Sequence, residues 1–370
     1  MFQKSILAFV LLNFSFLFSQ NSRSTLFVGT YTNTCDSKGI YAYDFDTQTA
    51  DFVLKTSTEK IINPSFLSLS PDKKFVYSVN ENGAESTVSA FGYDSKNNTI
   101  SYLNQQNSKG ADPCFITSDE KNVLVANYSG GSIVVFKKNP DGSLSDAKQV
   151  IQLFGKGINP KRQESPHAHM VQYSPDKKYI LVADLGTDSI LIYKYNQNSE
   201  DKILTLKDKI SVKEGSGPRH FTFSKDGSFL YLLQELDARI TVFKFNNGSL
   251  DKIQETKLIK PNFEGKIGAA DIHITPNGDF LYATNRGTAN EISCFRIQKN
   301  GQLIYRYSKD VLGKSPRNFA IDPNGNYLLV ANQNSDYISI FRINKMNGDL
   351  LDTDKKMELC APVCLIFSKQ

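Results

Sequence analysis
The stretch 217–235, GPRHFTFSKDGSFLYLLQE, holds the densest chemistry in the chain. Arg219 and His220 open a short run of alternating residues. A turn signal follows at Lys225-Asp226-Gly227, and a second apolar run, Phe229 to Leu233, leads to Glu235. Paired as a hairpin, the two runs bring Arg219 and His220 beside Glu235 at the open end. A guanidinium, an imidazole and a carboxylate so placed can hold an anion and move a proton. The modest reading is an ion pair at a rim, which contributes little to stability.

The elements that must position these groups are repeated. A strand, a Ser-Pro-Asp-like turn and an apolar strand recur as FLSLSPDKKFVYSVN from Phe66, CFITSDEKNVLVAN from Cys114 and MVQYSPDKKYILVAD from Met170. They return as HFTFSKDGSFLYLLQ from His220, DIHITPNGDFLYATN from Asp271 and NFAIDPNGNYLLVAN from Asn318. The turn residues Asp72, Asp119, Asp176, Asp226, Asn277 and Asn324 recur at intervals of about fifty residues. A third run rich in Ile, Val and Phe follows each copy. Asp-Gly or Asn-Gly turns at 141–142, 247–248 and 347–348 then lead to a fourth. Four short strands per repeat, with no helix pattern, predict an all-β β-propeller. The six copies need a seventh. Leu26–Thr30, Gly39–Phe45 and Asp51–Lys55 read as a blade without its first strand, and Pro362–Phe367 as a first strand alone. We expect seven blades, the last closed by the C-terminal strand joining the N-terminal ones, because an open ring would leave an unpaired edge.

The columns of the repeat separate core from chemistry. Two and four residues before the turn's first position every copy is apolar, from Leu69 and Leu67 to Ile321 and Phe319. That period of two marks one buried strand face. Six residues before it the column is Ser65, Asp112, His169, Arg219, Ala270 and Arg317. The second strands end near Glu81, Tyr128, Leu185, Glu235, Arg286 and Gln333. In a propeller both sets meet at one mouth of the central channel, so charges from separate blades converge there. The recurring Asn80, Asn127, Asn285 and Asn332, with Asp184, read as strand-end structure. His273 interrupts a column of mostly small or polar residues, Ser68, Gln172, Thr222 and Ala320, with Phe115 the exception. His167 and His169 form a His-x-His that could carry a metal, but no matching acidic or His cluster accompanies it. We expect no metal and no cofactor.

Composition excludes other classes. The formal charge is +5, yet acidic and basic residues are interleaved, with no basic block for nucleic acid. Lys4 followed by the apolar run Ile6 to Phe18 and then Ser19-Gln20-Asn21 has a signal-peptide layout. We expect residues 1–19 to be removed and 20–370 to form a single exported domain, periplasmic or secreted, with no membrane span after cleavage. The five cysteines, Cys35, Cys114, Cys294, Cys360 and Cys364, read as buried thiols in apolar strand patterns. A Cys35 pairing with a C-terminal cysteine is open if the chain ends meet.

The segments SPHAHMVQYSPDKKYILVADLGTDSI, GPRHFTFSKDGSFLYLLQE, AADIHITPNGDFLYATNRG and SPRNFAIDPNGNYLLVANQNSDYISIF, with FVGTYT near the start, resemble the seven-bladed propeller lactonases. That family includes propeller-type 6-phosphogluconolactonases and the related fungal carboxymuconate lactonizing enzyme. The resemblance covers essentially the whole mature chain. It implies metal-free lactone hydrolysis by a monomer acting on a small-molecule ring ester. By resemblance to the lactonizing enzyme, the catalytic set is His169 or His167, with Arg219, Glu235 and Arg286. Either Glu235 or His169 would be the general base, and the arginines would bind an oxyanion or a substrate anion. His167, His220, His273, Arg317 and Glu81 are expected substrate contacts. The alternatives are a lactonizing enzyme of the carboxymuconate type and a binding propeller without turnover.

Overall fold
The structure, a computed structural model, describes residues 22–260 and 263–368. The leader expected at 1–19 lies outside the described residues. The described residues form twenty-eight strands and a short 3₁₀ turn at Gly83–Glu85. The strands make seven four-stranded antiparallel sheets. Six are continuous in sequence, at 66–107, 113–152, 168–211, 218–257, 269–310 and 316–358, and are numbered here blades 1 to 6. Blade 7 joins Pro362–Phe367 to Arg23–Thr30, Ile40–Asp46 and Phe52–Ser57. First strands of successive blades are neighbours, and Pro362–Phe367 lies against Phe66–Leu69 of blade 1. The ring therefore closes through blade 7, as the unmatched ends of the chain predict.

The burial pattern follows from blades packing face to face. Second strands such as Asn122–Asn127, Tyr179–Asp184 and Tyr327–Asn332 are buried at every residue, which is why they read as unbroken apolar runs. Outer strands such as Leu144–Gln152 alternate between half-buried and exposed. The recurring amides at the ends of second strands are structural. Asn80, Asn127 and Asn332 donate to Ser89, Ser132 and Ser339 of the adjacent third strand at 3.0, 3.0 and 2.7 Å. Gly142, at a φ of 86°, opens the fourth strand of blade 2 and lies flat on Phe75 of blade 1, where any Cβ would strike the ring.

A bulge places the site. In blades 2, 3, 4 and 6 the first strand carries one extra residue against its partner: Cys114, His169, Arg219 and Arg317. A bulged residue leaves the ladder and its side chain is re-aimed. Here the bulge sits at the channel mouth in each blade. Blade 2 corrects the repeat alignment. Its turn, 119–122, is two residues shorter than the turn 224–229 of blade 4. Cys114, not Asp112, therefore occupies the place of Arg219, and Thr117, not Phe115, the place of Thr222. Cys114 was assigned to the core face and instead lines the mouth.

The cysteines also depart from expectation. Cys35 and Cys360 form a disulfide, with Cα atoms 6.5 Å apart, while Cys114, Cys294 and Cys364 are buried thiols. Cys35 lies in the loop after Arg23–Thr30, and Cys360 in the loop before Pro362–Phe367. Pairing of those two strands brings the loops together. The bond spans 325 residues, so it constrains almost the whole unfolded chain. Replacing both cysteines with serine is expected to cost about 2–4 kcal/mol. Thermal unfolding with and without reductant checks this: reductant should lower the parent's Tm to that of the variant, and equal Tm values throughout would contradict it.

Candidate active site
The channel is plugged at mid-height. Phe66 and Phe115 stack at 4.2 Å, and both meet the His220 ring edge-on at 6.0 and 5.5 Å. A cavity of about 390 Å³ lies on the side of the bulges. A larger one, about 540 Å³, opens at the other mouth, and half of its lining residues are Phe, Leu or Ile. The charged side chains converge in the smaller cavity, and the chemistry goes with them.

Glu235 is its centre. Its carboxylate accepts from Arg219 Nε at 2.9 Å and pairs with Arg286 Nη2 at 3.1 Å and Arg162 Nη2 at 2.7 Å. Its residue is 4% exposed. Burial alone would push the carboxyl up. The guanidinium groups of Arg286, Arg219 and Arg162 outweigh burial and hold it at about 2. Arg219 is itself buried, and burial together with the Arg286 charge lowers it to about 10, which still leaves it protonated at neutral pH. Arg286 is fixed from behind, its Nε donating to the Gly268 carbonyl at 3.1 Å.

His169 stands beside this cluster, its Nε2 4.0 Å from Glu235 Oε2. Its Nδ1 lies 3.6 Å from the Cys114 thiol. Burial, then the charges of Arg219, the neighbouring His220 and Arg317, push the imidazole well below its ordinary 6.5. His169 is therefore neutral at pH 7. Burial also raises the Cys114 thiol, which stays protonated.

The opposite wall is built around Glu81. Tyr31 donates to Glu81 at 3.0 Å, and Ser65 donates to its other oxygen. Arg317 stands 3.9 Å from Glu81, with its guanidinium over the Tyr31 ring at 5.5 Å. Asp112 lines the same wall. Arg317 is the loosely held cation of the cavity, in contrast to the three clasped on Glu235.

The structure separates the five expected substrate contacts. Glu81 and Arg317 line the cavity; His167, His220 and His273 do not. His167 stacks flat on Tyr128 at 4.4 Å, bonded to the Tyr128 carbonyl and to Glu164, so the bulge residue His169 is the histidine that faces the cavity. His220 and His273 border the larger cavity and both bond Asp271, at 2.8 and 2.9 Å. The four residues expected to be catalytic come together, since His169, Arg219 and Arg286 all approach Glu235, but only His169, Glu235 and Arg286 line the cavity; Arg219, 2% exposed, is buried behind Glu235. Among the described residues no group of three or more His, Cys, Asp or Glu is arranged to hold a metal ion.

Arg162, Tyr31 and Asp271 were not foreseen. Arg162 lies in the connection 153–167, the longest one leading into a first strand. It has no counterpart in the repeat, so column comparison could not reveal it; the insertion itself was the available signal. Tyr31 sits in FVGTYT, a motif that was noticed but not assigned a role.

The model of the lactonase family of seven-bladed β-propellers matches residues 25–367. A 6-phosphogluconolactonase of Formosa agariphila is 36% identical over 332 residues, covering 88% of this chain and 94% of the relative. One from Bacillus subtilis is 30% identical over 349 residues, covering 93% and 98%. The structure of the periplasmic gluconolactonase of Pseudomonas aeruginosa superposes with a TM-score of 0.89 at 33% identity, covering 94% of this chain and 99% of the other. With a match that runs from the first strand of the described fold to its last, this chain belongs to the seven-bladed β-propeller lactonase family.

Proposed function
We propose that this lactone hydrolase opens an unphosphorylated sugar lactone, with His169 as general base and Arg286 and Arg162, both clasped on Glu235 and lining the cavity, as the oxyanion site. One observation carries the reading: a neutral imidazole stands 4.0 Å from a carboxylate that three arginines hold ionised. Such a carboxylate, at about 2, is a weak base at neutral pH. The neutral His169 is the better acceptor. With its proton on Nδ1, on the Cys114 side, Nε2 faces the cavity. It takes a proton from a water molecule as that water's oxygen bonds to the lactone carbonyl carbon. The carbonyl oxygen gains negative charge against the guanidinium groups. When the ring C–O bond breaks, His169 returns the proton to the departing ring oxygen, and the open-chain acid leaves. Glu235 fixes the arginines and offsets the transient imidazolium.

The opposite wall argues for the substrate class. Glu81, Tyr31 and Asp112 suit hydroxyl groups, whereas a phosphate dianion there would meet two carboxylates and Arg317, a cation already 3.9 Å from Glu81. The expected export of the chain points the same way, because phosphorylated sugar lactones belong to the cytoplasm. Acid release by pH-stat from glucono-1,5-lactone and from its 6-phosphate tests the proposal. We expect a higher kcat/KM for the unphosphorylated lactone, with no loss on adding chelator. A preference for the phosphate ester would overturn the substrate class. No release above the spontaneous rate from either would favour the binding propeller.

A further inference from the structure
We propose that Asp271, which does not line the rim cavity, is a positioning residue that sets Arg219 through His220. Asp271 lies in the first strand of blade 5 and is 2% exposed. The inner ring of side chains at its level is Phe66, Phe115, Met170, His220, Asn318 and Cys364, and Asp271 is the acid among them. A buried carboxylate is costly unless every lone pair is used. Asp271 has four donors around it. His220 Nδ1 donates to Oδ1 at 2.8 Å. His273 Nε2, Asn318 Nδ2 and the Phe319 amide meet Oδ2 at 2.9, 2.6 and 3.2 Å.

The first of these bonds decides the tautomer of His220. An ionised carboxylate can only accept, so the His220 proton sits on Nδ1 and the Nε2 lone pair is free. Burial and the Arg219 charge push His220 down to about 4, so the ring is neutral at pH 7. Arg219 Nη1 lies 3.3 Å from that Nε2 and 3.4 Å from Nδ1, so it sits over the face of the imidazole, and it donates to the Ala270 carbonyl. A guanidinium has donors only, so each buried side of Arg219 needs an acceptor. The Ala270 carbonyl, beside the face of the neutral His220 ring, supplies one side, and Glu235 the other. Asp271 thereby fixes the ring on which Arg219 rests, and Arg219 in turn stands behind Glu235, off the cavity wall. Asn in place of Asp271 brings no charge to the His220 Nδ1 proton, which loosens the ring and the support it gives Arg219.

The proposal rests on the site reading above, and the experiment separates the two. Gluconolactone turnover is measured for Asp271→Asn, His220→Asn and Arg219→Ala, and for Asp271→Asn in the Arg219→Ala background. An asparagine amide imitates imidazole Nδ1, so His220→Asn keeps the bond to Asp271 and loses the ring face on which Arg219 rests. It serves as the second probe where Asp271→Asn folds poorly. Both single variants should lose about 10–100-fold in kcat, with KM changed less than about threefold, the size of effect expected when a catalytic group is misplaced by an ångström. In the Arg219→Ala background Asp271→Asn should cost less than about twofold more. Parental kcat in either single variant, with Arg219→Ala crippled, overturns this proposal alone. So does an undiminished cost of Asp271→Asn once Arg219 is gone. Parental kcat in Arg219→Ala overturns the site reading and this proposal with it.

Discussion
His169→Ala is expected to lower kcat by about 10²–10⁴-fold, the range for loss of a positioned general base, while KM for the lactone changes little. The argument is electrostatic. A histidine acts as a base only when neutral, and burial with Arg219, His220 and Arg317 nearby keeps His169 neutral well below pH 6.5. The sign of the pH dependence follows. Protonation removes the base, so kcat/KM should be flat through neutrality and fall on the acid side, at a pH below 6.5. A parental acid limb at or above 6.5 would contradict the assignment, as would a limb that survives in His169→Ala. His167→Ala is the matched control. That ring sits on Tyr128 outside the cavity, so its loss should perturb packing and leave kcat within a few-fold of the parent.

The choice between His167 and His169 shows where the sequence was legible and where it stopped. Both histidines share one strand face in a regular ladder. The structure separates them with the bulge, Ala168 pairing with Asp184 and Met170 with Ala183, and a bulge leaves no mark in a period-two pattern. The blades themselves were plain, since each repeats one hydrophobic rhythm against one turn chemistry. The seam at Pro362–Phe367 was found by bookkeeping of unmatched strands. Column comparison found Arg219, Glu235, His169, Arg286, Arg317 and Glu81, because they break a repeat that is otherwise uniform. It failed at Cys114 and Asp112, where a turn two residues shorter shifts the frame. It could not reach Arg162, which is outside the repeat. His273 broke its column, and His220 stood out beside Arg219. The cause there is Asp271 between them, and that contact crosses blades.

The arrangement also explains why a propeller suits this chemistry. The groups come from four blades: Glu235 and Arg219 from blade 4, Arg286 after the second strand of blade 5, His169 from blade 3 and Arg317 from blade 6. One hairpin joins Glu235 to Arg219, and only the ring brings in the rest. Four arginines in and behind one cavity would repel, and the closed ring resists that repulsion with bonds between neighbouring first strands. Leu365 of blade 7 donates to Asn318 of blade 6 at 2.7 Å, and Leu67 of blade 1 to Cys364 of blade 7 at 3.3 Å. Rigidity of this kind keeps the arginines aimed before substrate arrives, which is what electrostatic stabilisation of a transition state requires.

Glu235→Gln should damage both activity and stability, and the two losses can be told apart. Three arginines pack against one carboxylate that is almost fully buried. Removing its charge leaves them uncompensated in a poorly solvated cavity, and breaking a buried pair in this way costs about 3–5 kcal/mol. Displaced arginines no longer face the carbonyl, and kcat should fall at least about 10²-fold, as for a lost oxyanion contact. The pH dependence has a definite sign. The folded carboxyl is depressed to about 2, below its ordinary 4.5. Its stabilisation is present above the unfolded value and is lost as pH falls from about 4.5 through about 2. Denaturant unfolding of the parent should weaken across that window more steeply than that of Glu235→Gln, which has no proton to take up there. Adding Arg162→Gln to Glu235→Gln removes one stranded cation, so it should restore part of the stability and none of the turnover. Recovery of turnover in the double variant, or parallel acid profiles for parent and Glu235→Gln, would show that the carboxylate does not hold the arginines in place.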